Sequence, residues 1–506
     1  MQAKTDVCLV LEGTYPYVSG GVSSWVHRLI TSLKEITFSL AIILPDADSF
    51  TEYKYDLPPN IREVQEIYLH DMKLPEGSSH KLPKDAWQKL EAFHTCPVHA
   101  EKFSAFKDSF HNFFNLETRG ISPAKIADSK EAWRILTKLY QENAPEESFI
   151  DYFWTFRFMH IPLFKVLSAE LPVAKVYHAL STGYAGLLAT VAKLKYNRPI
   201  ILTEHGIYTR ERRFEISRVD WIYEKEDNKM KVQRSQNSFK ELWNSMFSTL
   251  SKICYDHSDT IITLFEGNQS YQLAEGATPE RMRVIPNGVD YETFSQIKRD
   301  EQKEPGHLVI GYMGRVVSIK DVKTFIRACR AVANQVPDLK AYIMGPTDEE
   351  PGYYQECVML VEFFGLKNIV EFTGKIDVKD YYPKLDIVVL TSISEAQPLV
   401  ILEAHSMGIP VVATDVGACS ELLFGRTEDD KALGKSGLIA GITNSDEVAA
   451  AIVEIWNAPD LMQEMGEAGK QRVRKYYNRI DLDDTYRELY KQHINGEAAW
   501  QESALS

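Results

Sequence analysis

Cysteine is scarce and unpatterned. Six occur in 506 residues, at Cys8, Cys96, Cys254, Cys329, Cys357 and Cys419, with no CxxC pair and no spacing that would hold a metal. This argues against a disulfide framework, and buried reduced thiols are expected. Long apolar runs are also missing: none reaches the ~18–20 residues of a membrane span. The apolar segment near the N-terminus is too short for a signal peptide and runs straight into a glycine loop, so a cytoplasmic protein is expected. Positive charge is in deficit, 57 Lys and Arg against 71 Asp and Glu, a formal net charge of −14. That balance argues against a nucleic-acid binder and against general adhesion to acidic lipid. There is no internal repeat and no low-complexity tract. No Walker loop, HExxH or GxSxG element falls where its context would require it.

What is present is an alternation. A chain of this length exceeds one core, and its apolar content of 44% with 25% charged residues is ordinary for a globular protein. Short runs rich in Val and Ile recur between helical patterns: "VCLVLEG", "FSLAIILP", "AKVYHAL", "RPIILTEHG", "DTIITLF", then "HLVIGYMGR", "KAYIMGP", "IVEFTGK", "DIVVLTS", "IPVVATD" and "SGLIAG". Continuous apolar strands between helices imply parallel sheets covered on both faces, an α/β chain. Functional loops then belong at the carboxyl ends of the strands. The polar stretch "SQIKRDEQKEPGH" reads as a linker, giving domains at 1–300 and 301–480 and a last helical segment at 481–506. About 68–171 breaks the first domain's rhythm with helical, aromatic stretches, "FKDSFHNFFN" and "FIDYFWTFRFMHIPLF". It reads as an insertion whose rings chiefly form its own core.

Chemistry concentrates in the second half. "GYMGRVVSIKDVKTFIRA" ends a strand at Gly314-Arg315 and starts a helix near Lys320-Asp321. Two cations at one strand end suit a pyrophosphate, Arg315 as a planar fork and Lys320 as a point charge. "DIVVLTSISEAQPLVILEAHSMGIPVVATDVGACSELL" puts Glu395 in a loop and Glu403 in the following helix. A carboxylate in the first turns of that helix can take both hydroxyls of a ribose, and one in the loop can take sugar hydroxyls. The helix start offers N–H groups to phosphate. In the first half, "EGTYPYVSGGVSSW" places Gly20-Gly21 between a strand and a helix. That is either a tight turn or a place where backbone N–H groups face an anion.

Taken singly, each feature has a plainer reading. Gly20-Gly21 would be a turn, Glu403 a solvated helix residue, His205 in "TEHG" a satisfied core histidine, and Arg315 and Lys320 surface charges. Asp46-Ala-Asp48 is a DxD, but it follows a strand in "LPDADSF" and reads as a turn rather than a metal site. The arginines of "TRERR" (209–213) read either as a solvated loop or as a site for an anionic partner.

In order along the chain, "VIPNGVDYETF", "GRVVSIKDVKTFIRA" and the Glu395-x7-Glu403 segment resemble the retaining glycosyltransferases of family 4, which have the GT-B fold. "LEGTYPYVSGGVSSWVHRLI" and "TEHGIYTRERRFEI" further resemble the members of that family that serve Pel exopolysaccharide synthesis. The resemblance implies two Rossmann-like domains with an interdomain cleft, and C-terminal helices crossing back to the first. It implies transfer of a hexose from a UDP-sugar, UDP-glucose first and an N-acetylated hexose as the other choice, to a growing exopolysaccharide. The anomeric configuration is retained and neither metal nor cofactor is needed. Arg315 and Lys320 would bind the diphosphate, Glu403 the ribose and Glu395 the sugar hydroxyls, with Gly314, Leu399 and Val400 completing the donor contacts. Gly20 and Gly21 would approach the donor from the first domain, and His205 would face the transferred sugar. His205, Glu395, Arg315 and Lys320 would then be the catalytic set. Membrane-embedded synthesis and export partners are implied, with the chain peripheral at the inner membrane through them. The other readings are a different family 4 transferase with a small or lipid-linked acceptor, and a non-catalytic UDP-sugar-binding subunit of a membrane synthase.

The chain departs from the family at one place. Where the family has Glu-Gly-Phe-Gly-Leu, this chain has Glu395-Ala396-Gln397-Pro398-Leu399. Pro398 lacks an N–H, so backbone donors must come from Gln397, Leu399 or Val400, and Pro398 is expected at the first helical position.

Overall fold

The computed structural model describes residues 3–70, 82–95, 126–218, 238–299 and 306–496. They form two compact units. The first comprises Met1–Ile262, Ser270–Arg283 and Arg487–Trp500; the second comprises Thr263–Gln269, Val284–Tyr486 and Gln501–Ser506.

In the first unit, seven strands run β1 (Thr5–Glu12), β2 (Phe38–Leu44), β3 (Ile61–Tyr68), β4 (Ala174–Ala179), β5 (Ile200–Glu204), β6 (Thr260–Thr263) and β7 (Met282–Val284). They lie in the order β3-β2-β1-β4-β5-β6-β7. The order reverses between β1 and β4, both parallel to one another, with Leu9 of β1 registered against Leu40 on one side and His178 on the other. Val7 to Leu11 are fully buried, which is why this strand reads as an unbroken apolar run rather than an alternating one. Burying each such Val or Leu contributes roughly 1.5–3 kcal/mol.

The helical insertion is described in part, as helices Lys84–Thr95, Lys130–Asn143 and Phe149–Ser168. "FKDSFHNFFN" lies outside the described residues. "FIDYFWTFRFMHIPLF" is helical, capped at its start by the Ser148 hydroxyl, which accepts from the Asp151 N–H. Tyr152, Met159 and Phe164 are buried in the first unit's core, and Phe149, Phe153 and Phe156 pack against it. Ile150, Trp154 and Phe158, four residues apart on one helix face, stay exposed.

The second unit holds β8 (Leu308–Met313), β9 (Leu339–Met344), β10 (Val370–Gly374), β11 (Ile387–Leu390), β12 (Val411–Thr414) and β13 (Gly437–Ala440), in the order β10-β9-β8-β11-β12-β13. All five pairings are parallel. The last helix, Arg479–Asn495, starts in this unit, where Arg479 pairs with Asp290 at 2.9 Å. Its second half belongs to the first unit: Arg487 donates to Glu35 at 2.6 Å, and the Tyr490 hydroxyl meets the buried His178 Nδ1 at 2.6 Å.

Candidate active site

The strand order of the second unit explains its site. β8 lies between β9 and β11, so the loop that leaves β8 is flanked by the loops that leave those two strands. Gly314 opens that loop, and a Cβ on Gly345 would come within 2.1 Å of the Gly314 carbonyl oxygen, so the β8 and β9 exits touch backbone to backbone. A short 3₁₀ turn, Ser318–Lys320, follows, and Asp321 then caps the helix Val322–Ala333 in a left-handed conformation, φ 44°. On the β9 side, the Ser318 N–H donates to Glu350 at 3.0 Å. On the β11 side, the Ile393 N–H donates to the Ile319 carbonyl at 2.9 Å.

Lys320 and Glu395 therefore meet. The Lys320 ammonium donates to Glu395 Oε1 at 2.5 Å, and the Ser392 hydroxyl donates to the same oxygen at 2.6 Å. Both charged side chains are largely covered. Arg315 leaves the same loop in the other direction, onto Glu349 at 2.6 Å, with both groups half exposed. Glu403 lies on the helix Leu399–Ser406 and accepts from the buried Tyr382 hydroxyl at 2.9 Å. Ser392, Glu349 and Tyr382 carry no motif; only the fold brings them to the charged residues.

The loop that departs from the family pattern is braced from two sides. The Gln397 side chain is buried and clamps the Asn287 backbone, accepting from its N–H at 2.7 Å and donating to its carbonyl at 3.2 Å. That ties "SEAQP" to "IPNGV". On the other side, Gly417 has φ 53°, and a Cβ there would approach the Glu395 and Ala396 carbonyl oxygens to 2.3 and 2.4 Å. Pro398 is the N-cap of the helix, φ −74° and ψ 112°, not its first helical residue as expected. Its extended ψ turns the chain into the helix one residue later, and Leu399 and Val400 become the first-turn residues, whose N–H groups have no preceding helical carbonyl.

Gly20, Gly21 and His205 belong to the first unit. Gly20 is extended, φ 176° and ψ 176°, and is the N-cap of the helix Gly21–Ser32 without a side-chain cap. Among the described residues, a Cβ at either glycine would meet nothing within 4 Å. Neither backbone conformation nor packing against the described residues demands glycine here. His205 follows β5, its ring edge-on to Trp25 with centroids 4.8 Å apart. Its Nε2 is buried and has no hydrogen-bond partner among the described residues. Burial, helped by the charge of Arg28, holds the imidazole down to about 4, so it is neutral at pH 7. The preceding Glu204 is buried and accepts from Tyr255 at 2.7 Å and Gln272 at 2.9 Å; burial raises its carboxyl to about 7.

Two further motifs resolve as structure. Asp46 accepts from the N–H groups of Asp48 and Ser49 at 3.0 and 2.7 Å, an Asx turn. The "TRERR" arginines are engaged within the unit, against the reading of an anionic-partner site. Arg212 bonds Glu12 at 3.2 Å and Glu215 at 2.6 Å, Arg210 stacks over Tyr271 at 4.1 Å, and Arg213 lies 4.0 Å from Glu275.

The family described as Domain of unknown function (DUF3492) matches residues 5–280, and the family described as Glycosyl transferases group 1 matches 307–458. A D-inositol 3-phosphate glycosyltransferase from Pseudarthrobacter chlorophenolicus is 27% identical over 220 residues, 41% of this chain and 50% of that protein. A lipopolysaccharide core biosynthesis mannosyltransferase, LpsB of Rhizobium meliloti, is 32% identical over 154 residues, 29% of this chain and 44% of that protein. The chain thus spans about half the length of the curated relatives it matches. A sucrose-phosphate synthase from Thermosynechococcus elongatus shares the fold over 97% of this chain and 100% of its own, with a TM-score of 0.57 at 15% identity. HepE of Anabaena, solved with UDP, does so over 96% and 99%, with a TM-score of 0.55 at 14% identity. The chain belongs to the DUF3492 family, whose model spans more than half of it at residues 5–280; residues 307–458 match the glycosyl transferases group 1 model, and the solved structures share its GT-B fold. Among the described residues, no helix is long and apolar enough to cross a membrane.

Proposed function

We propose that the chain is a retaining hexosyltransferase of the PelF type, using a UDP-sugar, UDP-glucose first, to extend a Pel-type exopolysaccharide. The observation that carries the donor assignment is the Lys320–Glu395 contact. A cation for phosphate and a carboxylate for hydroxyls stand 2.5 Å apart, and a second carboxylate, Glu403, is held by Tyr382 on the helix that follows the Glu395 loop. A nucleotide-sugar needs those two sites contiguous, because its phosphate is esterified directly to the sugar's anomeric carbon. On donor binding, Lys320 exchanges Glu395 for a phosphate oxygen, and Glu395 turns to the ring hydroxyls. HepE, which shares the fold, has been solved with UDP-glucose, which supports the same donor class here.

The acceptor hydroxyl attacks the anomeric carbon as the bond to the diphosphate oxygen breaks. The leaving diphosphate takes the hydroxyl's proton on the same face, and Lys320 and Arg315 stabilise its charge. Neutral His205 is suited to a hydrogen bond with a sugar hydroxyl. The two cations do the work a metal does in other transferases. The exposed Ile150, Trp154 and Phe158 supply an apolar face for a membrane-embedded partner. Calorimetric titration with UDP-, GDP- and ADP-sugars, and UDP release with and without EDTA, test the reading. UDP-selective binding and chelator-resistant release are expected. A preference for GDP- or ADP-sugars, or turnover abolished by EDTA and restored by Mg²⁺, overturns it.

A further inference from the structure

The stretch that follows β1 carries more than glycines. Tyr15, Tyr17 and Val18 precede Gly20, and the loop after β2 brings Phe50, Tyr53 and Tyr55 against them. The Lys54 N–H donates to the Pro16 carbonyl at 2.8 Å, which pins one loop on the other. Two ring groups result. Tyr17 lies 5.0 Å from Tyr53 and 5.7 Å from Phe50; Tyr55 lies 5.3 Å from Tyr15 and 5.1 Å from His27. The inner rings are fixed: Tyr17 donates to Glu66, which also accepts from Tyr68, and the Tyr15 hydroxyl meets His27 Nδ1 at 3.2 Å. The outer rings are not enclosed. Tyr53 is 45% exposed and Val18 39%, while Phe50 and Tyr55 are half-buried. An inner ring layer held by a carboxylate, with an outer layer open at the carboxyl edge of β1 and β2, is a preorganised platform.

We infer that this platform on the first unit is a subsite for a neutral pyranose of the acceptor saccharide, with Tyr53 as the stacking ring. The inference rests on the transferase reading and adds the site and charge class of its acceptor. A pyranose presents axial C–H groups on one face and hydroxyls around its rim. The negative face of an aromatic ring attracts those C–H groups, and tyrosine hydroxyls meet the rim. The local charge sets the class. Asp46, Asp48, Glu52 and Asp56 stand in the loop after β2 against one cation, Lys54, itself 3.8 Å from Glu52. An anionic saccharide is therefore repelled. Gly20 and Gly21, which follow Val18 and are exposed, have no described atom within 4 Å of an added Cβ, which leaves room there for the rest of the saccharide.

Saturation-transfer NMR on the full chain tests this with three probes: cellohexaose, chitohexaose and hexagalacturonate. At least one neutral hexaose is expected to bind, and hexagalacturonate more weakly than it by fivefold or more. Tyr53→Ala should weaken the neutral probe by at least fivefold, and Tyr53→Phe, which keeps the ring, by less than twofold. UDP affinity and Tm should be unchanged in both variants, since Tyr53 is exposed and is not among the residues proposed to bind the donor. Binding of neither neutral hexaose, equal binding by Tyr53→Ala, or tighter binding of hexagalacturonate overturns the inference. UDP titration of the same samples separates the two claims. A chain that binds a hexaose but not UDP loses the transferase reading and keeps the platform; the converse loses only the platform.

Discussion

At the scale of single residues, the proposed donor site is a set of charge pairs. Lys320 is held by Glu395 and Arg315 by Glu349, so on the proposed reading phosphate displaces a carboxylate from each. The Lys320–Glu395 pair is the more covered of the two. A charge-assisted hydrogen bond is worth roughly 1.5–3 kcal/mol, so Lys320→Ala should weaken UDP about tenfold or more by calorimetry. Glu403→Gln should weaken UDP itself, because the contact proposed for Glu403 is with the ribose of the nucleotide. Glu395→Gln should leave UDP near wild type, or tighter, while weakening the UDP-sugar. The opposite pattern, with UDP lost in Glu395→Gln alone, would reverse the two carboxylates. The residue types and order of these groups were readable from the chain, because the reading rests on side-chain chemistry, cations for phosphate and carboxylates for hydroxyls. Their pairing was not. Lys320 meets Glu395, 75 residues on, because β8 and β11 are neighbours in the sheet though not in sequence.

At the scale of elements, glycines in similar sequence settings do different work. Gly417 sits at φ 53°, with its Cβ position 2.3 Å from the Glu395 carbonyl oxygen. Gly417→Ala should therefore lower Tm and weaken UDP-sugar together, as the loop bearing Glu395 is pushed away. Gly20 is extended and its Cβ position is open. Gly20→Ala should leave Tm near wild type and reduce turnover, if the loop meets substrate; full turnover would leave this glycine with no role. From the sequence the two looked alike, since a dihedral angle and a neighbour's backbone are written nowhere in it. The fully buried Arg472, on the helix Pro459–Tyr476, was likewise invisible. It donates to Asp430 Oδ1 at 2.7 Å, the Ser436 hydroxyl at 2.8 Å, and the carbonyls of Leu423, Asp430 and Gly434. Arg472→Met strands a buried carboxylate, at a cost of about 3–5 kcal/mol. Chemical denaturation measures this, and a loss below about 1 kcal/mol would show that Asp430 is not left charged and buried. The alternation of strands and helices, by contrast, was plain, because strands covered on both faces must be apolar throughout.

At the scale of the whole chain, burial of titratable groups makes stability depend on pH. Burial holds the imidazoles of His160 and His205 down to about 4, and those of His178 and His405 to about 3. The unfolded chain titrates near 6.5, so between pH 6.5 and 4 it binds protons that the folded chain refuses. Stability is then fully present above about pH 6.5 and is lost as the pH falls. Each histidine contributes a slope approaching about 1.4 kcal/mol per pH unit within that window. Glu204 acts in the other sense. Its folded value of about 7 exceeds the ordinary glutamic acid value of 4.5, so the folded chain holds the extra proton, and stability falls as the pH rises through that window. Between pH 5 and 6.5, four histidines oppose one glutamic acid, and the histidines prevail. Tm should therefore fall on going from pH 7 to pH 5. Glu204→Gln keeps an acceptor for Tyr255 but removes the opposing titration. It should raise Tm at pH 8 and steepen the fall toward pH 5. Calorimetric scans at half-unit intervals check both signs. A Tm that is flat from pH 7 to 5, or a Glu204→Gln variant whose fall is shallower than wild type, would mean that these groups are not held neutral by the fold.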